Sequence, residues 1–272
     1  MADPPLAAVG PVLALDQCLD VRPMLVFDRQ TVTRSWEIDW MTTLHASRVA
    51  QLSFFQGLGA CDIDEMLALS RHLSYPKGMD AFEQGQEARW FFVLLEGRLR
   101  VARLTPAGQQ VVVRYVAPGE VFGVAMAIGR STYPATATAV VESIALAWAS
   151  AIWPSLVSRF PSLAATTLRS VGARLQDAHD RVVEMSTEEA ERRIAHALLR
   201  LAKQAGRKIA NGIQIDFPIT RQDVAEMTGT TLHTVSRILS AWENKDLVQG
   251  GRQRIVIKDA HKLHILAERF AK

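Results

Sequence analysis

The most specific chemistry in this 272-residue chain sits in the run Thr230-Thr231-Leu232-His233-Thr234-Val235-Ser236-Arg237. Ser236 and Arg237 lie three and four residues after His233, so a helix would carry all three side chains on one face. The opposite face is apolar: Leu232, Val235, Ile238, Leu239 and Trp242 recur at spacings of three and four. An anchored helix that leaves a guanidinium, an imidazole and a hydroxyl open presents donors to base edges. Arg237 can give two parallel hydrogen bonds to guanine O6 and N7, while His233 and Ser236 reach neighbouring edges.

Such a helix must be held by its surroundings, and the flanking residues supply the means. Thr220 precedes Arg221-Gln222-Asp223, the spacing of a capping box. Val224, Ala225 and Met227 give this first helix an apolar side, and Gly229 supplies a turn of positive φ. Thr230 or Thr231 caps the second helix. Helix, glycine turn and helix in series predict a helix-turn-helix reader of the major groove. Arg221, Gln222 and Thr234, at helix starts, are placed to hold phosphates. Leu247-Val248-Gln249, then Gly250-Gly251, then Arg252 to Lys258 predict a hairpin turning on the glycine pair. Ile213 to Phe217 alternates like a third strand, which makes the unit a winged helix-turn-helix. Arg252 and Arg254 in the wing are either phosphate contacts or solvated charge.

The run TRQDVAEMTGTTLHTVSRIL with its wing resembles the DNA-binding domain of the Crp/Fnr superfamily of bacterial transcription regulators. Upstream, YPKGMDAFEQGQEARWFFVLLEGRLRVARLTPAGQQVVVRYVAPGEVFG resembles that family's cyclic-nucleotide-binding-type β-roll. The resemblance runs from about Ser47 to Lys272. It implies an α+β chain: an extension over residues 1–45, a β-roll sensor over 46–155, a dimerisation helix over 156–185 and the winged helix-turn-helix over 186–272. It also implies double-stranded palindromic DNA and RNA polymerase as partners. Most family members carry glutamate where His233 stands, which puts the usual cytosine contact in doubt.

The roll is legible in its own right. Glycines at 78, 85, 97, 108 and 119 punctuate short strand-like runs. Trp90 to Leu95 predicts a buried strand, and Leu99 to Leu104 one with a wet face. Ahead of it, residues 47–73 predict two short helices with Leu58, Ile63, Met66, Leu67 and Leu69 turned inward. Nucleotide-binding relatives hold ribose and phosphate with a glutamate after Phe-Gly and an Arg-Ser pair about ten residues on. Here Val124 follows Phe122-Gly123, and Tyr133-Pro134 occupies the pair. An apolar residue and a proline cannot neutralise a phosphate, so no cyclic nucleotide is expected. A pocket lined by Val124, Met126, Tyr133 and Pro134 suits an apolar ligand, a haem or a filled core.

After Pro161 a long helix is predicted. Leu168, Val171, Leu175, Ala178, Val182 and Met185 form an a/d seam at spacings of 3, 4, 3, 4 and 3, the pattern of a two-stranded coiled coil or of a helix packed on its own domain. The homodimer is the expectation, because a reader of two half-sites needs two-fold symmetry. Ser186 stands three residues before Glu189 in capping-box spacing and predicts a break before a helix running to Lys203. Within the family, LHTVSRIL, YPATATA and the missing ligands look most like the nitric-oxide-responsive denitrification regulators (Dnr/NnrR type), which implies haem. His179, beside seam position Ala178, is then a candidate iron ligand; the alternative is a histidine on the solvated edge of the coiled coil.

Composition limits the remaining classes. From Thr187 onward there are 15 Lys and Arg against 10 Asp and Glu, while the rest has 16 against 18. Basic charge is concentrated where phosphate contact needs it. Cys18 and Cys61 cannot supply the four thiolates of a [4Fe–4S] cluster, and they suggest no disulfide framework. No run approaches a membrane span, no basic start marks a signal peptide, and no catalytic motif stands out, so a cytoplasmic non-enzyme is expected.

Overall fold

The computed structural model describes residues 49–268. Cys18 and the rest of the amino-terminal extension lie outside them.

A short 3₁₀ turn at Ser53–Phe55 and helix α1 (Ala60–Ala68) lead into the roll. Its strands are β1 (Arg71–Tyr75), β2 (Asp80–Phe82), β3 (Trp90–Glu96), β4 (Leu99–Leu104), β5 (Gln110–Val116), β6 (Val121–Phe122), β7 (Thr136–Ala139) and β8 (Ser143–Ala149). They form two antiparallel sheets, ordered β1-β8-β3-β6 and β2-β7-β4-β5. Residues expected at the end of a second helix, Arg71 to Leu73, are therefore strand, paired with Leu146 and its neighbours on β8. Leu69 is also not inward: it is 50% exposed, whereas Ile63 and Met66 are buried.

Strand β3 is apolar from Trp90 to Leu95 because it is covered on both sides. Phe92 and Leu94 point between the sheets, among Phe82, Leu99, Phe122 and Tyr133. Phe91 and Val93 point the other way, onto a helical layer with Phe54, Met66 and Trp148. Successive side chains on a strand take opposite faces, so a run of this kind fits only an interior strand. Gly97 (φ 90°) makes the tight connection from β3 to β4, where a Cβ would meet the Glu142 carbonyl oxygen and Ser143.

Helices α2 (Trp153–Arg159) and α3 (Pro161–Thr187) follow the roll, with prolines at positions where a missing N–H costs nothing. The chain then breaks at Glu188 and resumes as α4 (Ala190–Ala205). The capping box expected from Ser186 is absent. The Ser186 hydroxyl donates back to the Val182 carbonyl inside α3, and Glu189 is the N-cap of α4. A serine hydroxyl on a continuing helix finds the carbonyl one turn back before it finds an N–H ahead.

The last unit holds β9 (Gly206–Ile209), β10 (Gly212–Ile215), α5 (Arg221–Thr228), α6 (Leu232–Asn244), β11 (Val248–Gly251), β12 (Arg254–Ile257) and α7 (Ala260–Glu268). Its sheet is ordered β11-β12-β10-β9, one strand more than expected. Its core, around Ile194, Leu198, Val235, Leu239 and Trp242, also takes in Val112 and Tyr115 from the roll.

Candidate nucleic-acid interface and effector cavity

The helix-turn-helix is built as the local sequence dictates. The Thr220 hydroxyl accepts from Asp223 N–H at 3.0 Å, and Asp223 accepts from Thr220 N–H at 2.8 Å, closing the capping box. Gly229 ends α5 at φ 61°, ψ 38°. Thr231, not Thr230, caps α6 by accepting from Thr234 N–H at 3.1 Å. Val235, Ile238, Leu239 and Trp242 are buried, and the Trp242 indole donates to Glu191. His233 and Arg237 are exposed on the outer face, with Ser236 half-buried between them. The three expected base readers therefore share one open face.

The supporting residues divide. Arg221 is tied to Glu243 at 3.2 Å, and Gln222 donates to Glu226 at 3.0 Å, so both engage a carboxylate within the domain. Thr234 shares a 2.9 Å hydroxyl contact with Thr231. Arg252 and Arg254 are exposed.

The wing differs from expectation. Gly250 and Gly251 lie in β11, paired with Ile255 and Arg254, and the turn is Arg252-Gln253 with Gln253 at φ 56°. Gly250 lets a side chain come close instead: its N–H donates to Glu243 at 3.0 Å, and a Cβ there would make the Glu243 carboxylate shift. The register shift puts Arg252 at the wing tip.

The roll contacts this unit directly. Arg100 of β4 donates to Asp223 at 2.8 Å, Tyr115 of β5 lies 4.6 Å from the Phe217 ring, and Arg98 sits over that ring's other approach at 5.1 Å. A bulge makes the surface. Val101 pairs with Arg114 and Ala102 with Val112, leaving Val113 unpaired, so Val112 and Tyr115 face the same way although three residues apart.

The expected effector residues do not come together. Inside the roll, Tyr133 stacks on Phe82 at 3.8 Å and its hydroxyl donates to the Trp90 carbonyl at 2.6 Å, with burial raising its pKa to about 12. Phe92 and Phe122 continue the stack at 4.9 Å. The roll interior is thus a filled aromatic core. Val124 is buried in the helical-layer core and Met126 is exposed. A cavity of about 860 Å³ opens instead between β4, β5 and α3. Of the expected pocket residues only Pro134 lines it; His179 is exposed on α3 and does not.

Sequence reading missed the charge in this cavity. Arg103, Arg114, Arg169, Arg174 and Arg181 line it. Arg174 donates to the Val121 carbonyl at 2.5 Å and Arg181 to the Val113 carbonyl. Burial, with Arg114 close by, pulls the Arg174 pKa down to about 10, and burial also lowers that of Arg181. The available signal was the seven-residue spacing of Arg174 and Arg181, which puts both on one helical face.

These features can be set against known proteins. The Crp-like helix-turn-helix domain model matches residues 192–266, and the cyclic nucleotide-binding domain model matches residues 72–159. A Thermus thermophilus protein named cyclic AMP receptor protein is 29% identical over 213 residues, 78% of this chain and 95% of its own length. The chain thus matches a cyclic nucleotide-binding domain followed by a Crp-like helix-turn-helix domain, the two parts found in that order along it. The Bradyrhizobium diazoefficiens nitrogen fixation regulation protein FixK is 25% identical to this chain over 213 residues, 77% of this chain and 87% of FixK. The structure of FixK2 from Bradyrhizobium japonicum has the same fold, with a TM-score of 0.65 at 22% identity, over 74% of this chain and 99% of that chain.

The long helix α3 leaves its seam uncovered. Leu168, Leu175 and Val182 are 73%, 57% and 61% exposed, with Ala178 also exposed and Val171 half-buried. Met185 plays a second part: its Cε lies 2.7 Å from where a Gly229 Cβ would stand, against the helix-turn-helix turn. The break after α3 is held by Arg193, which donates to the carbonyls of Glu188 at 2.7 Å and Thr228 at 3.0 Å. Glu188 also pairs with Arg192 and His196. Among the described residues, no group of three or more His, Cys, Asp or Glu is placed to hold a metal, and no helix is long and apolar enough to cross a membrane.

Proposed function

We propose that this Crp/Fnr-family regulator works in the cytoplasm as a homodimer that reads a two-fold palindromic DNA site, recruits RNA polymerase, and is tuned by a small molecule in the cavity beside α3. One observation carries the reading: α3 exposes the apolar seam Leu168, Leu175 and Val182 while α6 exposes His233 and Arg237. An apolar a/d seam in water calls for a second helix, and a second copy places two recognition helices about 34–36 Å apart, one turn of duplex. Arg237 then reads guanine, with Ser236 and His233 beside it. Arg252 at the wing tip and Arg254 meet phosphates.

The effector reading does not extend to haem or nitric oxide. The cavity lining has no imidazole or thiolate for iron, and His179 lies outside it. Among the described lining residues the groups able to reach iron are the thioethers of Met185 and Met227, without the histidine or thiolate that usually accompanies them, which disfavours an iron-ligated haem. A cyclic nucleotide is also disfavoured, since Val124 and Pro134 replace its anchors and Tyr133 with Phe82 fills the roll interior. That filled interior favours a second reading, a regulator that binds DNA without any effector.

Selection of binding sites from random duplexes, followed by gel retardation, tests the proposal. A two-fold symmetric site whose affinity changes with a cavity ligand supports it; an asymmetric site bound by a monomer would sink it. Constant affinity with every ligand would leave the effector-independent reading.

A further inference from the structure

The cavity beside α3 is chemically two-sided. One wall is aliphatic, with Val101, Val111 and Val113 from β4 and β5 and Pro134 beside them. The other carries the guanidinium groups of Arg174 and Arg181, with Arg114 at the edge. The counter-charge does not match. Glu120 is engaged by Arg114 at 2.7 Å, which leaves Asp177 as the remaining acid among the lining residues. Arg174 and Arg181, both half-buried, donate to peptide carbonyls; of the carboxylates near them, Glu120 is held by Arg114 and Glu184 by Arg200, which leaves Asp177 shared between them and the other lining arginines. The Arg181 Nε is buried with no hydrogen-bond partner. The volume of about 860 Å³ is within the range of small-molecule sites.

We infer that this cavity takes an amphipathic acid, an oxyanion on a hydrocarbon body, with Arg174 and Arg181 holding the oxyanion and the valine wall holding the body. The inference rests on the effector reading and names the ligand class for it. A carboxylate, sulfonate or phosphate offers the arginines charge-assisted, fork-shaped hydrogen bonds that a carbonyl cannot match. Taking it, the two side chains leave Val121 and Val113, which loosens α3 from β5 and β6. The same cavity is lined by Met185 at the end of α3 and by Gln204 and Met227 of the DNA-binding unit. Met185 lies against Gly229, so a ligand that moves α3 moves the turn that sets the recognition helix.

Two fluorescent probes with the same body separate the charge from the grease: 1-anilinonaphthalene-8-sulfonate and its neutral counterpart N-phenyl-1-naphthylamine. The full-length protein should bind the sulfonate saturably, and the neutral probe roughly tenfold more weakly, the worth of one charge-assisted contact. Arg174→Gln and Arg181→Gln should each weaken the sulfonate about tenfold and leave the neutral probe unchanged. Salt provides a check on unmodified protein: raising sodium chloride from about 0.05 to 0.5 M should weaken the sulfonate more than the neutral probe. Equal affinities for the two probes, or sulfonate binding indifferent to both salt and the arginines, would overturn the inference. Retardation of the selected DNA site with and without the sulfonate separates the two claims. Arginine-dependent binding with no change in DNA affinity supports the ligand class and removes the effector role. A change in DNA affinity produced equally by the neutral probe does the reverse.

Discussion

Arg100 of the roll donates to Asp223 at 2.8 Å, and Asp223 is the same residue that closes the capping box of the first DNA-binding helix. One carboxylate thus both starts α5 and ties it to the roll. With side chains 27% and 11% exposed, the pair is shielded enough to matter, unlike an ion pair in open solvent. Tyr115 stands beside it, and burial, next to Asp223, raises its pKa.

The link between the domains should therefore be measurable as a coupling. A double-mutant cycle of Arg100→Ala and Asp223→Asn, followed by urea unfolding, is expected to give an interaction of roughly 1–3 kcal/mol. Additive losses within about 0.5 kcal/mol would mean that the two domains do not share this contact in solution.

Leu175→Lys is expected to yield a folded monomer. Leu175 is more than half exposed in the single chain, so lysine disturbs no core, yet in a paired seam it sets two ammonium groups against each other. The cost to the dimer should be roughly 3–5 kcal/mol. Sedimentation velocity with unchanged circular dichroism checks this; a dimer of undiminished affinity would show that the seam lies elsewhere.

Arg237→Ala should lose about 1–3 kcal/mol per base contact and relax discrimination at one position in each half-site. Arg252→Ala should instead weaken all duplexes alike and flatten the salt dependence of binding. Competition between selected and random DNA distinguishes them, and equal losses on both for Arg237→Ala would remove it from base reading.

Gly229→Ala should cost about 1–2 kcal/mol of stability, through a positive φ that alanine disfavours. The new Cβ also meets Met185 Cε, so Met185→Ala in the same chain should recover part of the loss. Thermal unfolding of the three proteins reads this; an unchanged midpoint for Gly229→Ala would mean that the turn adopts another conformation.

Cyclic AMP at about 1 mM should give no saturable heat by titration calorimetry, a ceiling near 4 kcal/mol of binding. Val124 and Pro134 offer its phosphate nothing, and the Phe82–Tyr133 stack occupies the roll interior. A saturable signal would show that the stack opens.

Much of this was legible in the order of residues, because caps, turns and faces depend on neighbours within four positions. Thr220 with Asp223, Gly229, and the 3.6-residue rhythm of α6 located the two helices, their turn and the open face that carries His233, Ser236 and Arg237. Residue type alone sufficed to doubt the nucleotide site, since a valine cannot do the work of a glutamate. Errors fell where two local options compete: Gly250-Gly251 reads as a turn, yet Gly250 lies within the strand, where its N–H donates to Glu243, seven residues back. Other features have no local signature at all. A bulge at Val113 adds one residue to β5 and so swings Val112 and Tyr115 onto the DNA-binding unit, an event that sequence periodicity cannot register. The arginine-lined cavity is of the same kind: Arg114 comes from a strand and Arg174 and Arg181 from a helix some 60 residues on, and their shared lining, with its excess of positive charge, exists only once the two elements are packed together.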